Sequence, residues 1–234
     1  MTKHGKKYLK AGEKLASQAS VTLSLDQALA KVKELAYAKF DESIDIDINV
    51  GIDASKGEQS VRGSLILPHG RGKKIRVLVF AKGDHALEAE KAGADYVGSD
   101  DLIEKIHGGW LDFDVAVATP DLMAQIGRVA KILGPRGLLP NKKLGTVTFE
   151  VAHIVKDLKL GRLFFKNDKS GIVHFSIGKV SFDVNKLHDN MVTFVKALLS
   201  AKPAASKGKF LRKITISSTM GVGVSVNADE FLRS

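Results

Sequence analysis

The sequence predicts an α/β chain with two kinds of sheet: a discontinuous two-layer α+β domain built from both termini, and a three-layer α/β domain inserted into it. Three observations predict this. Near both ends the strand-like segments alternate apolar and polar residues, as strands with one wetted face do. The middle holds continuous apolar runs alternating with helices, the pattern of a parallel sheet covered on both sides. Each flank alone is too small to bury a good core, since surface outweighs volume at that size, so joining them is the economical solution. The predicted division is 1–67 with 161–234 for one domain and 68–160 for the insert, with the two crossings near Pro68 and Gly161 adjacent and forming a hinge. Two or three domains in series is the alternative.

The elements follow in order. Ser24 and Gln27 form a capping box before a helix from about Leu25 to Ala38, with Leu25, Leu29, Val32 and Leu35 on one face. Ile44, Ile46, Ile48, Val50 and Ile52 alternate with Asp45, Asp47 and Asn49 in a half-buried strand. Ser55–Ser60 is a polar connection, Val61–Leu67 a second strand, and Pro68–Gly72 a boundary loop.

In the middle, Ile75–Phe80 reads as a fully buried strand, Asp84 caps a short helix ending at Gly93, and Tyr96-Val97 is a short strand. Ser99 or Asp100 opens another helix, and Val115–Ala118 is again continuous and apolar. Thr119-Pro120 starts a helix that runs to Leu133 and stops at Gly134-Pro135; Glu150–Leu160 is one more. The last part returns to the alternating style. Arg162–Lys166 and Ile172–Ile177 are strands joined by a hairpin turn at Asn167–Gly171. A helix over Asn185–Ser200, a loop over Pro203–Gly208, and strands over Lys209–Ser217 and Val222–Val226 complete the chain.

Composition narrows the function. The net charge is +10, yet residues 68–160 carry fourteen Lys and Arg against twelve Asp and Glu, so the flanks hold +8 of it, most after Gly161. A concentrated basic surface suits a polyanion, because Lys and Arg release counterions from phosphates; a solvated basic face is the plainer reading. With no cysteine, disulfides, thiolate nucleophiles and zinc fingers are excluded together. The histidines at 4, 69, 85, 107, 153, 174 and 188 have no metal-ligand spacing. The Lys-rich start has no signal-peptide core, and no apolar run approaches a membrane span, which reads as a soluble cytoplasmic protein.

Catalytic patterns are weak. Acidic pairs such as Asp100-Asp101 and Asp112/Asp114 sit where caps and loops explain them. Gly70–Lys74 precedes a strand, whereas a phosphate loop follows one and opens a helix, so a nucleotide-using enzyme is the lesser hypothesis. A DNA-binding regulator lacks a recognition helix. In Leu133–Asn141, prolines and glycines present Arg136 either to a phosphate or partner, or simply to solvent.

Two segments of the basic flank are better candidates. Lys166, Lys169 and His174 straddle the hairpin, where Gly171 permits close backbone approach. Ser217–Gly223 is a run of small hydroxyls ended by glycines, suited to lie against RNA and bond 2′-OH groups and base edges, with Met220 flat on a sugar or base. A glycine-loosened turn is the structural alternative. Phe40, beside Lys39, stacks on a base or belongs to the core.

These segments resemble the bacterial type of the ribosomal protein L-one family, the first protein of the large subunit. The resemblance rests on Ala38–Ser43, Asn49–Asp53, Val61–Gly63, Leu67–Gly70, Leu133–Asn141, Asn167–His174 and Ser218–Gly221, in that order over nearly the whole chain. It implies the discontinuous domain with a Rossmann-like insert, no catalysis, no cofactor and no metal. It also implies binding of ribosomal RNA at the base of the large-subunit stalk by the split domain. Carried over, the RNA-contact residues are Lys39, Phe40, Glu42, Ser43, Arg62, Lys166, Lys169, His174, Ser217, Thr219, Met220 and Gly221. Glu42 would accept from a 2′-OH or guanine edge, or orient Lys39 or Arg62. The resemblance further implies release of exit-site tRNA and, for the free monomer, repression of its own operon through a messenger that imitates the ribosomal site.

Overall fold

The computed structural model describes all residues except 1–4, 17–21, 54–58, 207 and 233–234, and all side chains among them except those of residues 143 and 232. Residues 55–58 of the predicted Ser55–Ser60 connection and residue 207 of the Pro203–Gly208 loop therefore lie outside the described residues. The chain divides into two compact units: Met1–Gly72 with Phe164–Ser234, and Lys73–Leu163. The fold is mixed α/β, with antiparallel and parallel sheets.

The first unit begins with α1 (Lys6–Ala16) and α2 (Leu25–Leu35), then β1 (Ser43–Val50) and β2 (Arg62–Ile66). After the second unit, the chain continues through β6 (Arg162–Lys166), β7 (Ile172–Lys179), α8 (Val184–Ser200), β8 (Leu211–Ser218) and β9 (Val224–Val226). Sheet order is β7-β1-β8-β9, with β1 antiparallel to both neighbours. Every second residue of β1 is buried, Ile44, Ile46, Ile48 and Val50, as are Leu29 and Val32 of α2 and Met191, Phe194 and Leu198 of α8. Each such buried side chain contributes about 1.5–3 kcal/mol. Phe175 stacks on Phe194 with ring centroids 4.2 Å apart. The polar residues of β1 line the opposite face.

α2 is capped as expected, with Ser24 N–H donating to Gln27 Oε1 at 3.4 Å, but it ends at Leu35 rather than Ala38. The reason is local competition. The N–H groups of Tyr37 and Ala38 turn away from the helix to donate to the Glu42 carboxylate. α1 has no counterpart in the pattern-based reading, where this stretch stood out only for its lysines.

Buried Asn190 of α8 accepts from His69 N–H at 3.2 Å and donates to the carbonyls of Gly70 at 2.9 Å and Ile177 at 2.8 Å. One amide side chain thus satisfies the backbone of the turn after β2, where Gly70 has φ +63°.

The second unit contains β3 (Val77–Phe80), α3 (Asp84–Lys91), β4 (Tyr96–Gly98), α4 (Asp100–His107), β5 (Val115–Ala118), α5 (Met123–Ile126), α6 (Ala130–Leu133) and α7 (Val151–Lys159). Its sheet is parallel, in order β4-β3-β5. Leu78, Phe80, Ala116 and Ala118 pack into one cluster with Leu102, Ile106 and Ile126. Val77, Val79 and Val117 are buried on the other face, toward α7. The cap of α3 is Gly83 at φ +62°, a left-handed conformation glycine tolerates, and Asp84 is the first helical residue rather than the cap. The expected single helix from Pro120 to Leu133 is instead α5 and α6 with 3-10 turns before and between them.

Candidate nucleic-acid interface

Pairing of β1 with β7 and β8 builds one polar face. Ser43 lies opposite Lys179, Asp47 opposite both His174 and Thr215, and Asp45 opposite Ser217. The twelve residues predicted to contact RNA fall in two groups, toward the two ends of β1. Eight residues at the strand rise of about 3.3 Å make β1 roughly 25 Å long, so no single small ligand spans both.

At the Ser43 end, the 36–42 loop meets the turn after β8. Ser43 N–H donates to Thr219 Oγ1 at 2.9 Å, and Thr219 N–H to the Ser43 carbonyl at 3.1 Å. Tyr37 Oη donates to the Met220 carbonyl at 2.6 Å. Between them sits Glu42, only 1% exposed. Its Oε1 accepts from Ala38 N–H at 2.8 Å and Tyr37 N–H at 3.2 Å, and its Oε2 from Met220 N–H at 2.9 Å. Burial acts to raise the Glu42 pKa, but the Met220 N–H, the Ser218 hydroxyl dipole and the Ala38 and Tyr37 N–H groups outweigh it and hold the carboxyl below its ordinary value. Ser218 Oγ is buried and reaches no partner at full hydrogen-bond geometry.

Glu42 therefore needs correcting. It faces no solvent from which an RNA hydroxyl or guanine edge could approach, and its oxygens are engaged by backbone N–H groups rather than by Lys39 or Arg62. It holds the loop to the turn.

What this clamp leaves outside is apolar and small. Phe40 is 56% exposed and Met220 51%, two of the largest hydrophobic exposures among the described residues. Phe40 is thus not core. Lys39 and Thr219 are exposed, and Ser43 and Ser217 half-buried. A Cβ at Gly221 would meet Ser218 Oγ, so a larger residue there would force that hydroxyl to move.

At the other end, Arg62, Lys166 and Lys169 are exposed around the 167–171 turn, with Arg62 Nε donating to Ser60 Oγ at 3.0 Å. Asp168 Oδ1 accepts from Ser170 and Ile172 N–H, both at 2.8 Å. Those bonds, Ile172 first, hold the Asp168 carboxyl below its usual range. Gly171, at φ +74°, is buried, and its carbonyl accepts from Val50 N–H at 2.9 Å. It makes the turn rather than opening a path for RNA backbone. His174 Nδ1 lies 2.6 Å from Asp47 Oδ1, and Nε2 lies 3.6 Å from Asp168 Oδ2. The Asp47 hydrogen bond, more than burial opposes it, raises the His174 pKa and favours the imidazolium.

Pattern reading missed Tyr37 and the two aspartates that hold His174. The aspartates stood in plain view on the polar side of β1 and in the hairpin, but which β7 residue each would meet depends on register. Arg136 lies in the second unit and is exposed within the 134–137 turn, whose last residue Gly137 has φ +71°. Lys73 of the nucleotide-loop hypothesis bonds Asp114 at 2.7 Å.

A basic chain whose exposed sheet end combines cations, hydroxyls and bare apolar side chains is built as a binding protein for a polyanion with stacking faces. Residues 32–222 match the model of the Ribosomal protein L1p/L10e family, and the chain belongs to that family. It is accordingly a large-subunit ribosomal protein, RNA-binding and non-enzymatic. No described helix is long and apolar enough to cross a membrane.

Proposed function

We propose that the first unit binds the ribosomal RNA of the large-subunit stalk through the corner formed by Lys39, Phe40, Ser43, Ser217, Thr219, Met220 and Gly221. The observation that carries this is the clamp itself. A buried carboxylate and a tyrosine hydroxyl fix two loops so that Phe40 and Met220 remain exposed. Such exposure costs solvation in the free protein and is recovered when each side chain stacks on a base or sugar. Arg62, Lys166, Lys169 and His174 add phosphate contacts at the far end of the sheet. The RNA-binding domain is then discontinuous, 1–67 with 161–234, around a Rossmann-like insert over 68–160 joined to it by a hinge. The same reading, from the resemblance, extends to exit-site tRNA release and to repression of the protein's own messenger by the free monomer, since a surface that reads RNA shape accepts any RNA of that shape.

The test is binding of the purified chain to the stalk fragment of large-subunit RNA against a scrambled fragment of equal length, over several salt concentrations. Preference that persists as salt rises, and falls in Phe40→Ala and Met220→Ala, supports the reading. Equal binding to both fragments that vanishes with salt overturns it.

A further inference from the structure

We propose that α1 carries a second RNA-binding surface, a lysine stripe that contacts phosphates independently of sequence beside the Phe40–Met220 corner. This rests on that corner being an RNA interface, and it concerns a segment outside the 32–222 stretch that the family model covers.

α1 reads KKYLKAGEKLA, four lysines against one glutamate. Lys7, Lys10 and Lys14, at i, i+3 and i+7, share one helical face. They line a groove whose other wall is Glu34–Tyr37 at the end of α2. A second depression continues it, lined by Gly5, Lys6, Lys7, Tyr8, Tyr37 and Met220. Lys7 Nζ stands 6.0 Å from the centroid of the Tyr37 ring, and that tyrosine's hydroxyl holds the Met220 carbonyl. The lysine row therefore runs up to the same Met220 that the corner exposes.

Two features make Lys6, Lys7 and Lys10 available. Lys6, Lys7 and Lys10 are exposed, and among the described residues none is paired with a carboxylate. Glu34, the acid in the groove wall, is bonded to Lys31 at 2.9 Å and also feels the charge of Lys14. The helix is also weakened by its own charge. Lys6/Lys10 and Lys10/Lys14 are like-charge pairs at i, i+4, each unfavourable. An eleven-residue helix is marginal alone, and only Ala11 of α1 is buried. A polyanion laid along the stripe relieves the repulsion and releases counterions, whereas a neutral partner does neither.

The experiment measures affinity of the full chain for the stalk and scrambled RNA fragments across salt, in wild type, Lys7→Gln/Lys10→Gln, Lys7→Arg/Lys10→Arg and Met220→Asp. Glutamine, one atom shorter, keeps helix propensity and hydrogen bonding while removing charge. The expected result for the glutamine pair is weaker binding to both fragments, with an unchanged stalk preference and a salt slope shallower by about 1.5, or roughly 0.7–0.9 for each phosphate no longer neutralised. The arginine pair retains wild-type slope and affinity. Wild-type slope in the glutamine pair, or loss of binding in the arginine pair as well, overturns the lysine stripe. Met220→Asp separates this from the underlying reading: if it leaves the stalk preference intact, the corner is not the RNA site.

Discussion

Two turns at opposite ends of one sheet are built with the same device and to different ends. In each, a carboxylate accepts from backbone N–H groups: Glu42 from Tyr37, Ala38 and Met220, and Asp168 from Ser170 and Ile172. Asp168 works within its own turn and stays partly in water. Glu42 is buried and joins segments 178 residues apart. A local, wet carboxylate shapes a turn that water would also solvate. A buried, long-range one holds a surface that the chain would otherwise not expose, with Phe40 and Met220 on it. In the proposed interface the Asp168 turn offers charge, which would select phosphate generally, and the Glu42 turn offers shape, on which discrimination between RNAs would depend.

The comparison breaks most visibly at Glu42. Glu42→Ala should lower stability by about 2–4 kcal/mol in denaturant unfolding, because several N–H groups lose their acceptor away from water. It should also weaken RNA binding although Glu42 itself is buried. Its lowered pKa gives the sign with pH: the contribution is present above the unfolded carboxylate value of about 4.3 and is lost as pH falls through the folded value below it. An acid titration of stability in which wild type and Glu42→Ala run parallel would remove the clamp.

Next come the exposed side chains. Phe40→Ala and Met220→Ala should each cost about 1–3 kcal/mol in binding to the stalk fragment, with unfolding changed by less than about 0.5 kcal/mol. Thr219→Val is a less clean probe, because its hydroxyl accepts from Ser43 N–H and the variant would also disturb the corner. At the hairpin, Asp168→Ala should cost only about 0.5–1.5 kcal/mol in stability, as expected for bonds that water replaces. Lys166→Ala with Lys169→Ala should act as the α1 variants do, reducing the salt slope by roughly 0.7–0.9 for each phosphate left without its cation, and without altering preference. A change in preference there would erase the distinction between the turns.

The smallest effect belongs to His174. Its raised pKa means that the Asp47 contribution is full below the unfolded histidine value of about 6.5 and is lost as pH rises through the folded value. NMR titration should find its midpoint lower in Asp47→Asn than in wild type; equal midpoints would show that Asp47 does not govern the imidazole.

Much of the fold could be read in the chain. The alternation in Ser43–Val50 set the wet and dry faces of β1, and the unbroken apolar run of Val115–Ala118 marked a doubly covered strand to the residue. The amphipathic stripe of α8 was likewise visible, because periodicity records which face is buried. Two helices depart from the pattern. α2 stops at Leu35 because a carboxylate later in sequence takes the N–H groups of Tyr37 and Ala38, and Pro120–Leu133 breaks into short turns despite a helical start signal. The competition by Glu42 leaves no mark on local spacing.

The same division holds for the candidate site. Residue types and order alone marked Ser217, Thr219, Met220 and Gly221 as unusual, since a glycine-ended hydroxyl run is a local fact, whereas Lys39 and Phe40 came to the interface through the family resemblance, residue type alone leaving Phe40 open between stacking and core. Only tertiary structure put Glu42 inside, left Phe40 outside, set His174 between Asp47 and Asp168, and brought α1 to Met220. Those four outcomes depend on strand register and on the meeting of residues far apart in the chain. Burial of a carboxylate is decided by whether distant backbone groups arrive to bond it, and no local pattern carries that information.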